Sequence, residues 1–383
     1  MREGRSLLRP HPSLGGSRSR AAYGDPSVRT KKALAAFGPG GYPLPAFDTP
    51  ISVRENFFRV ARRDHPLWIP LAAAEMQELH MSHLYDKGPE GYQLGPNLGE
   101  TRERYTYLDE FGNSWTFDRN AGGACMTIGT RVCDDILQWE RQIKFPDLHE
   151  WNLDERAERF LREEHDPERV LNMDIYHGPF QAMADLLGGF AEALEAMFVE
   201  PEASAAFLNR YADWLIWLID RLSGLYPADI FTIHDDWGTE KDAFFSPQMM
   251  YDLLYEPTKR MIDHVHGLGK LYTFHCCGKV DKFLPAMCDL GADFLQLQRR
   301  VNDTPAYKRM YGDRIGFNVP FDGLTPGKRD YTDEQLREIV RRNVDDYGAN
   351  GGFVPLMVSG TPQAMWTMAS ELYCYSREKL EQA

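Results

Sequence analysis

Between Asp229 and Gln298, three short runs of β-branched and aromatic residues, IFTIH, KLYTFH and DFLQLQ, are separated by stretches of helical character. A strand, helix, strand, helix, strand rhythm builds parallel sheets, because parallel neighbours need a crossover long enough to hold a helix. Each run also carries polar chemistry at its C-terminal end: His234, Asp235 and Asp236 after the first, His275, Cys276 and Cys277 after the second, Gln296 and Gln298 on the third. In parallel α/β folds that end of the sheet faces the ligand.

Other segments extend the pattern. LWIPLA (67–72), VLNMDIYHGPF (170–180), RIGFNVPFDGL (314–324) and GGFVPLMVSGTP (351–362) read as further strands, with an eighth expected within 73–135. A chain of 383 residues then fits an α/β fold made of one (β/α)8 TIM barrel with insertions, and no repeat or linker divides it. Ser52, followed three residues later by Glu55, starts a predicted helix that caps the barrel bottom. YTYLDEFGNSWTFD (105–118) alternates around Gly112-Asn113 and predicts a β-hairpin insertion. ILQWERQIKFPDL (136–148) predicts a helix stopped at Pro146, and a long helix starts near Pro201 with Phe207, Tyr211, Trp214, Leu215 and Leu218 as its core stripe. Residues 1–48, rich in Arg, Ser, Gly and Pro without periodicity, are expected to be a flexible arm, and 49–383 the barrel domain.

A net charge of −14 excludes nucleic acid as a partner, since neutralising phosphates requires clustered Lys and Arg. Six cysteines, two of them adjacent, form no spaced disulfide framework, and no apolar run suits a signal peptide or membrane span. The expectation is a cytoplasmic protein with reduced thiols.

His275 and Cys277 form an H-x-C pair that alternation along a strand turns to one side. Imidazole and thiolate suit zinc, which needs a third protein ligand, with His234, Asp236 or Glu240 as candidates. Read blandly, Cys276 and Cys277 are small buried hydrophobes and His275 a satisfied strand-end residue. His234, Asp235 and Asp236 are candidate catalytic groups, although either aspartate equally suits capping of the following helix. Trp237 beside them is expected to wall an apolar pocket. Gln296 and Gln298 share a strand face and Asn318 ends the next strand; with Tyr176 and His177 these are the expected substrate- or cofactor-binding residues.

HDDWG, FFSPQMM, FHCCGKV and GFNVPFDGL together resemble the uroporphyrinogen decarboxylase superfamily, from about Ser52 to Leu380. The resemblance implies a single (β/α)8 barrel and one of two activities, haem-pathway decarboxylation or zinc-dependent methyl transfer to or from a corrinoid. True decarboxylases meet an eightfold carboxylate substrate with an arginine-rich loop after the first strand; here the matching PLAAAEMQELHMSHLYDKG has no arginine. The methyltransferase branch places its H-x-C pair at His275 and Cys277, whereas its further cysteine is replaced by Leu356, Met357, Val358 and Ser359. What this branch implies is a methyltransferase acting on a small methylated or methoxylated donor (O-demethylation), with the corrinoid cofactor (cobalamin type) on a partner protein docked over the barrel mouth. An acid such as Asp236, or the metal, would polarise the leaving heteroatom. A decarboxylase for a less anionic substrate and a non-catalytic barrel binding a tetrapyrrole or small ligand are the alternatives. No membrane partner is expected, and a homodimer is an open expectation.

Overall fold

A strand covered on both faces has no solvent side to alternate with, and the central strands here are buried along nearly their whole length, opening only at the histidines near their C-terminal ends. The computed structural model describes residues 20, 22–25, 27–32, 42–80, 103–120, 123–325, 327–356 and 361–382. An antiparallel pair, β1 (Thr30–Lys32) and β2 (Pro43–Pro45), lies against the C-terminal helix Pro362–Leu380. Leu44 is fully buried there, and Arg20 pairs with the buried Glu371 at 2.6 Å, so described parts of the expected arm pack on the barrel.

The helix Val53–Arg62 begins as expected, with Ser52 Oγ accepting from the Glu55 amide at 3.1 Å. Its Phe57, Phe58 and Val60 pack against Met76, Val170, Ile230, Leu271 and Phe294, which seals the bottom of the sheet. The expected strand at 67–72 does not form. Pro66 and Pro70 remove ladder donors and fix φ, so Trp68 and Ile69 are buried in irregular chain. The first strand of the barrel is instead β3 (Met76–His80), after one helical turn at Ala72–Glu75.

The expected hairpin is present as β4 (Arg104–Leu108) and β5 (Ser114–Asp118), with a third antiparallel strand, β6 (Gly123–Met126), beside it. The helix expected at 136–148 is broken into a 3-10 turn at Ile136–Gln138 and a single turn at Trp139–Gln142. Trp139 and Phe145 instead pack edge-on to each other, and Trp139 also packs on Phe207, in the core. The long helix Pro201–Leu225 follows, with its expected stripe buried.

The remaining strands are β7 (Val170–Ile175), β8 (Ile230–His234), β9 (Leu271–Cys276), β10 (Phe294–Leu297) and β11 (Gly316–Phe317). The parallel sheet runs β3-β7-β8-β9-β10-β11. Isolated parallel bridges from Phe317 to Phe353 and from Pro320 to Leu356 add a seventh segment, whose Pro355 carbonyl accepts from the Ala72 amide at 3.2 Å. This is a TIM-barrel-type α/β fold with seven parallel segments among the described residues. No helix among those residues is long and apolar enough to cross a membrane.

The two faces of the sheet differ in chemistry. Leu171, Met173, Phe231, Ile233, Tyr272, Phe274 and Leu295 face the helices and join the large core. Alternate residues face inward, and above the sealed bottom they are polar: Glu78, His80, Asn172, Asp174, Thr232, His234, Thr273, His275 and Gln296. Burying such groups is costly unless they are hydrogen-bonded, as Thr232 Oγ1 is to Asn172 Oδ1 at 2.9 Å. A polar interior in a barrel otherwise built for packing marks where stability has been given up for function.

Candidate active site

His234, His275 and Gln296 are register partners on β8, β9 and β10, so their side chains emerge side by side on the inner face. The two imidazoles stack with centroids 3.9 Å apart. His275 Nδ1 lies 2.5 Å from Gln296 Oε1, and its Nε2 faces Cys277 Sγ at 3.4 Å and Asp236 Oδ1 at 3.9 Å.

Two loops hold this arrangement. The Cys277 amide donates to Asp236 Oδ1 at 2.7 Å, and the Lys279 amide donates to the Thr239 carbonyl at 2.7 Å. Between these bonds Gly278, at φ +83°, crosses Gly238 so closely that a Cβ on Gly278 would stand 2.1 Å from the Gly238 carbonyl. Glycine is required there both for the left-handed backbone and for the crossing. Gln298 Oε1 accepts from the Gly278 amide at 2.9 Å, so this side chain secures the loop carrying Cys277 and does not face a ligand with that oxygen.

Asp236, His275 and Cys277 each offer a ligand atom, and these atoms lie within 4.8 Å of one another. Tetrahedral zinc with ordinary bond lengths separates nitrogen, oxygen and sulfur ligands by about 3.4–3.6 Å, close to the separations around His275 Nε2. The donor set therefore fits zinc with one position left for a substrate. Burial and the neighbouring His234 hold His275 down to about 4, which keeps its imidazole neutral. Burial, with Asp236 beside it, pushes the Cys277 thiol up to about 12, so it ionises at neutral pH only beside a cation.

Of the expected third ligands, Asp236 joins this group, and Glu240 and His234 do not. Glu240 lies beyond the Gly238 turn, is more than half exposed and pairs with Arg300. His234 Nε2 is bound to Asp174 Oδ1 at 2.6 Å. The other Asp174 oxygen takes His80 Nδ1 at 2.6 Å. Burial alone would raise this carboxyl, but His234 and His80 outweigh it and hold Asp174 well below the usual carboxylate range. Tyr176 Oη lies 3.0 Å from His80 Nδ1 and packs edge-on to His234, at the rim of the same arc.

Asp235 does cap a helix, but a neighbouring one. Its carboxylate accepts from the Gln181 amide at 2.8 Å, in the first turn of Pro179–Leu187, and from Trp237 Nε1 at 2.9 Å. Burial pushes it up to about 7 against those donors. Trp237 is fully buried against Phe274 and Phe283, behind the strand ends and not on a pocket wall. His177 stands at the mouth in the left-handed region (φ +67°), its ring stacked on Trp115 of the inserted sheet at 5.0 Å. Asn318 donates to the Val354 carbonyl and accepts from Gln296. Glu78, His80, Asp174 and Trp115 were not singled out from the sequence, although the polar alternation in MQELH and VLNMDI carries the signal for the first three. Met357, Val358 and Ser359, and residues 81–102, lie outside the described residues.

The uroporphyrinogen decarboxylase (URO-D) family profile matches residues 154–362, which include every strand from β7 to β11. Methylcobamide:CoM methyltransferase MtaA of Methanosarcina barkeri is 23% identical over 183 residues, 47% of this chain and 49% of the relative. The same enzyme from strain Fusaro is 22% identical over 183 residues, again 47% of this chain and 49% of the relative. The chain thus spans about half the length of the curated relatives it matches. A solved methyltransferase from Methanosarcina mazei shares the fold with a TM-score of 0.59 and 12% identity, over 86% of this chain and 99% of that one. On a profile match covering more than half of its length, with β8, β9 and their crossed loops inside the matched region, this chain belongs to the uroporphyrinogen decarboxylase family.

Proposed function

We infer that this protein transfers a methyl group between a small methylated or methoxylated compound and a corrinoid carried by a partner protein, using zinc held by Asp236, His275 and Cys277. The observation that best supports this reading is the convergence of one oxygen, one nitrogen and one sulfur at the C-terminal ends of adjacent barrel strands. The relatives named methylcobamide:CoM methyltransferase point the same way. Zinc, when bound, supplies Lewis acidity to a heteroatom that loses or gains the methyl group.

The surrounding residues have definable tasks. His275 stays neutral and offers Nε2 as a ligand. Asp174, ionised, can only accept, so His80 Nδ1 and His234 Nε2 both present N–H to it. With its Nδ1 proton directed at Asp174, His80 has no lone pair on that nitrogen for Tyr176. The Tyr176 hydroxyl is therefore an acceptor there, and its own proton is available to a substrate heteroatom.

Purified protein prepared under reducing conditions should contain stoichiometric zinc, lost in His275→Ala and Cys277→Ala. Incubation with cob(I)alamin and a panel of methoxyaromatic and methylated compounds should yield methylcobalamin. Absence of metal removes the zinc chemistry, and absence of methylcobalamin with every donor removes the methyl transfer. Decarboxylation of a less anionic substrate is the second reading. Glu78 favours it, because burial followed by Asp174 pushes its carboxyl up to about 8 and leaves it a neutral proton donor beside the site. Carbon dioxide release from the same panel would select it.

A further inference from the structure

Three side chains, from β9, β10 and the segment after β11, form a hydrogen-bond chain whose direction is fixed at one end. Asn318 Nδ2 lies 2.9 Å from the Val354 carbonyl oxygen, which only accepts. The Asn318 amide must therefore turn its oxygen toward Gln296, whose Nε2 donates to it at 2.7 Å. Gln296 is left with Oε1 facing His275 Nδ1 at 2.5 Å, and that oxygen again only accepts. The proton of the neutral imidazole is thereby assigned to Nδ1, and Nε2 keeps its lone pair toward Cys277 and Asp236. Reversing either amide would set two acceptors or two donors against each other. Both amides are buried, so water is not at hand to relieve the mismatch.

We propose that Asn318 and Gln296 are positioning residues that lock His275 as its Nδ1–H tautomer, with Nε2 presented as the ligand atom, and are not substrate contacts. Each amide spends its oxygen and one N–H inside the fold, which leaves little for a ligand. The relay reaches His275 across two strands, so a change at Asn318 acts on the metal face without touching it. Its consequence for metal affinity rests on the zinc reading above; the tautomer itself is a property of the metal-free protein.

The test uses metal-free protein labelled with 15N in histidine, at pH 8, where long-range nitrogen–proton couplings report which ring nitrogen is protonated. The wild type should show Nδ1–H at His275. Asn318→Leu and Gln296→Leu should lose that single tautomer and weaken zinc binding, measured by chelator competition, about 10- to 100-fold. Gln296→Glu keeps an acceptor at Nδ1 whichever way Asn318 turns, and should retain the tautomer. An Nε2–H tautomer in the wild type overturns the proposal, as do folded Leu variants with the tautomer unchanged. A wild type with the Nδ1–H tautomer that binds no zinc, and loses the tautomer in the Leu variants, upholds the relay and sinks the zinc reading alone.

Discussion

The rings of His234 and His275 stack at 3.9 Å with planes 19° apart, and the two side chains are anchored in opposite directions. His234 is tied by Nε2 to Asp174 on β7, whereas His275 is tied by Nδ1 to Gln296 on β10. Two stacked imidazoles in a buried site are not both charged at little cost, and the pressure falls on His275, which is held down to about 4 by burial and His234. The face of the site that meets Cys277 is thus supplied with a neutral nitrogen, while on the other side Asp174 holds the His80 imidazole above its ordinary value against burial.

The third ligand can be identified by substitution. Asp236→Asn keeps an oxygen acceptor for the Cys277 amide but removes the negative charge, and should weaken zinc binding by about tenfold or more. Glu240→Gln should leave the affinity unchanged, because Glu240 is exposed and paired with Arg300. Equal losses in both variants, or a loss only at Glu240, would assign the site differently.

Tyr176→Phe removes one hydroxyl from the mouth. If that hydroxyl gives its proton to the substrate heteroatom, turnover should fall by roughly 10²-fold, in line with the contribution of a positioned general acid. Zinc content and thermal stability should stay near wild type, since the hydroxyl's hydrogen bond among the described residues is with His80 and not with a metal-facing group. Unchanged turnover would reduce Tyr176 to a packing role against His234.

Gly278→Ala tests the crossing of the two loops. The new Cβ would meet the backbone of Gly238 at 2.1 Å and impose a left-handed φ on alanine, so a loss above about 2 kcal/mol is expected in denaturant unfolding. Gly291→Ala is the control: it shares the positive φ but meets no atom within 4 Å, and should cost about 1 kcal/mol. Metal content should fall in the first variant only, because Cys277 is adjacent to the crossing.

What was legible in the sequence follows the physics of burial. The strands of the second half are readable because their outward-facing residues are uniformly apolar and aromatic or branched, with polar residues gathered toward their C-terminal ends, and His275 with Cys277 is readable because strand alternation carries both to one side. LWIPLA misled because an apolar run is buried whether or not it pairs, and Pro70 denies it a ladder. The eighth strand, expected somewhere within 73–135, is MQELH, and its exact place is not readable because its inner residues, Glu78 and His80, are polar, which reads as surface in a single sequence. The partners of Asp235, Gln296 and Asn318 depend on which helix and which strands lie alongside, and only the fold supplies that order. Asp235 caps a helix more than fifty residues earlier in the chain, a relation that local spacing cannot contain.

Glu78 gives a pH test that is independent of activity. Its carboxyl is pushed up to about 8 by burial and then by Asp174, with His80 pulling the other way, and its Oε2 is buried without a hydrogen-bond partner among the described residues. Between its ordinary value near 4.5 and about 8, the folded protein keeps this proton while the unfolded chain releases it. The unfolded state then binds fewer protons, so this group's contribution to stability is complete below its ordinary value and is lost as pH rises through about 8. Glutamine at this position cannot titrate. The stability of Glu78→Gln relative to wild type should therefore improve from pH 5 to pH 8, by at most ~1.4 kcal/mol per pH unit, and level off above that. Denaturant unfolding of both proteins across this range checks it, since other groups cancel in the difference. Parallel curves would mean that Glu78 ionises normally in the folded protein, and would also remove the neutral proton donor on which the decarboxylase reading depends.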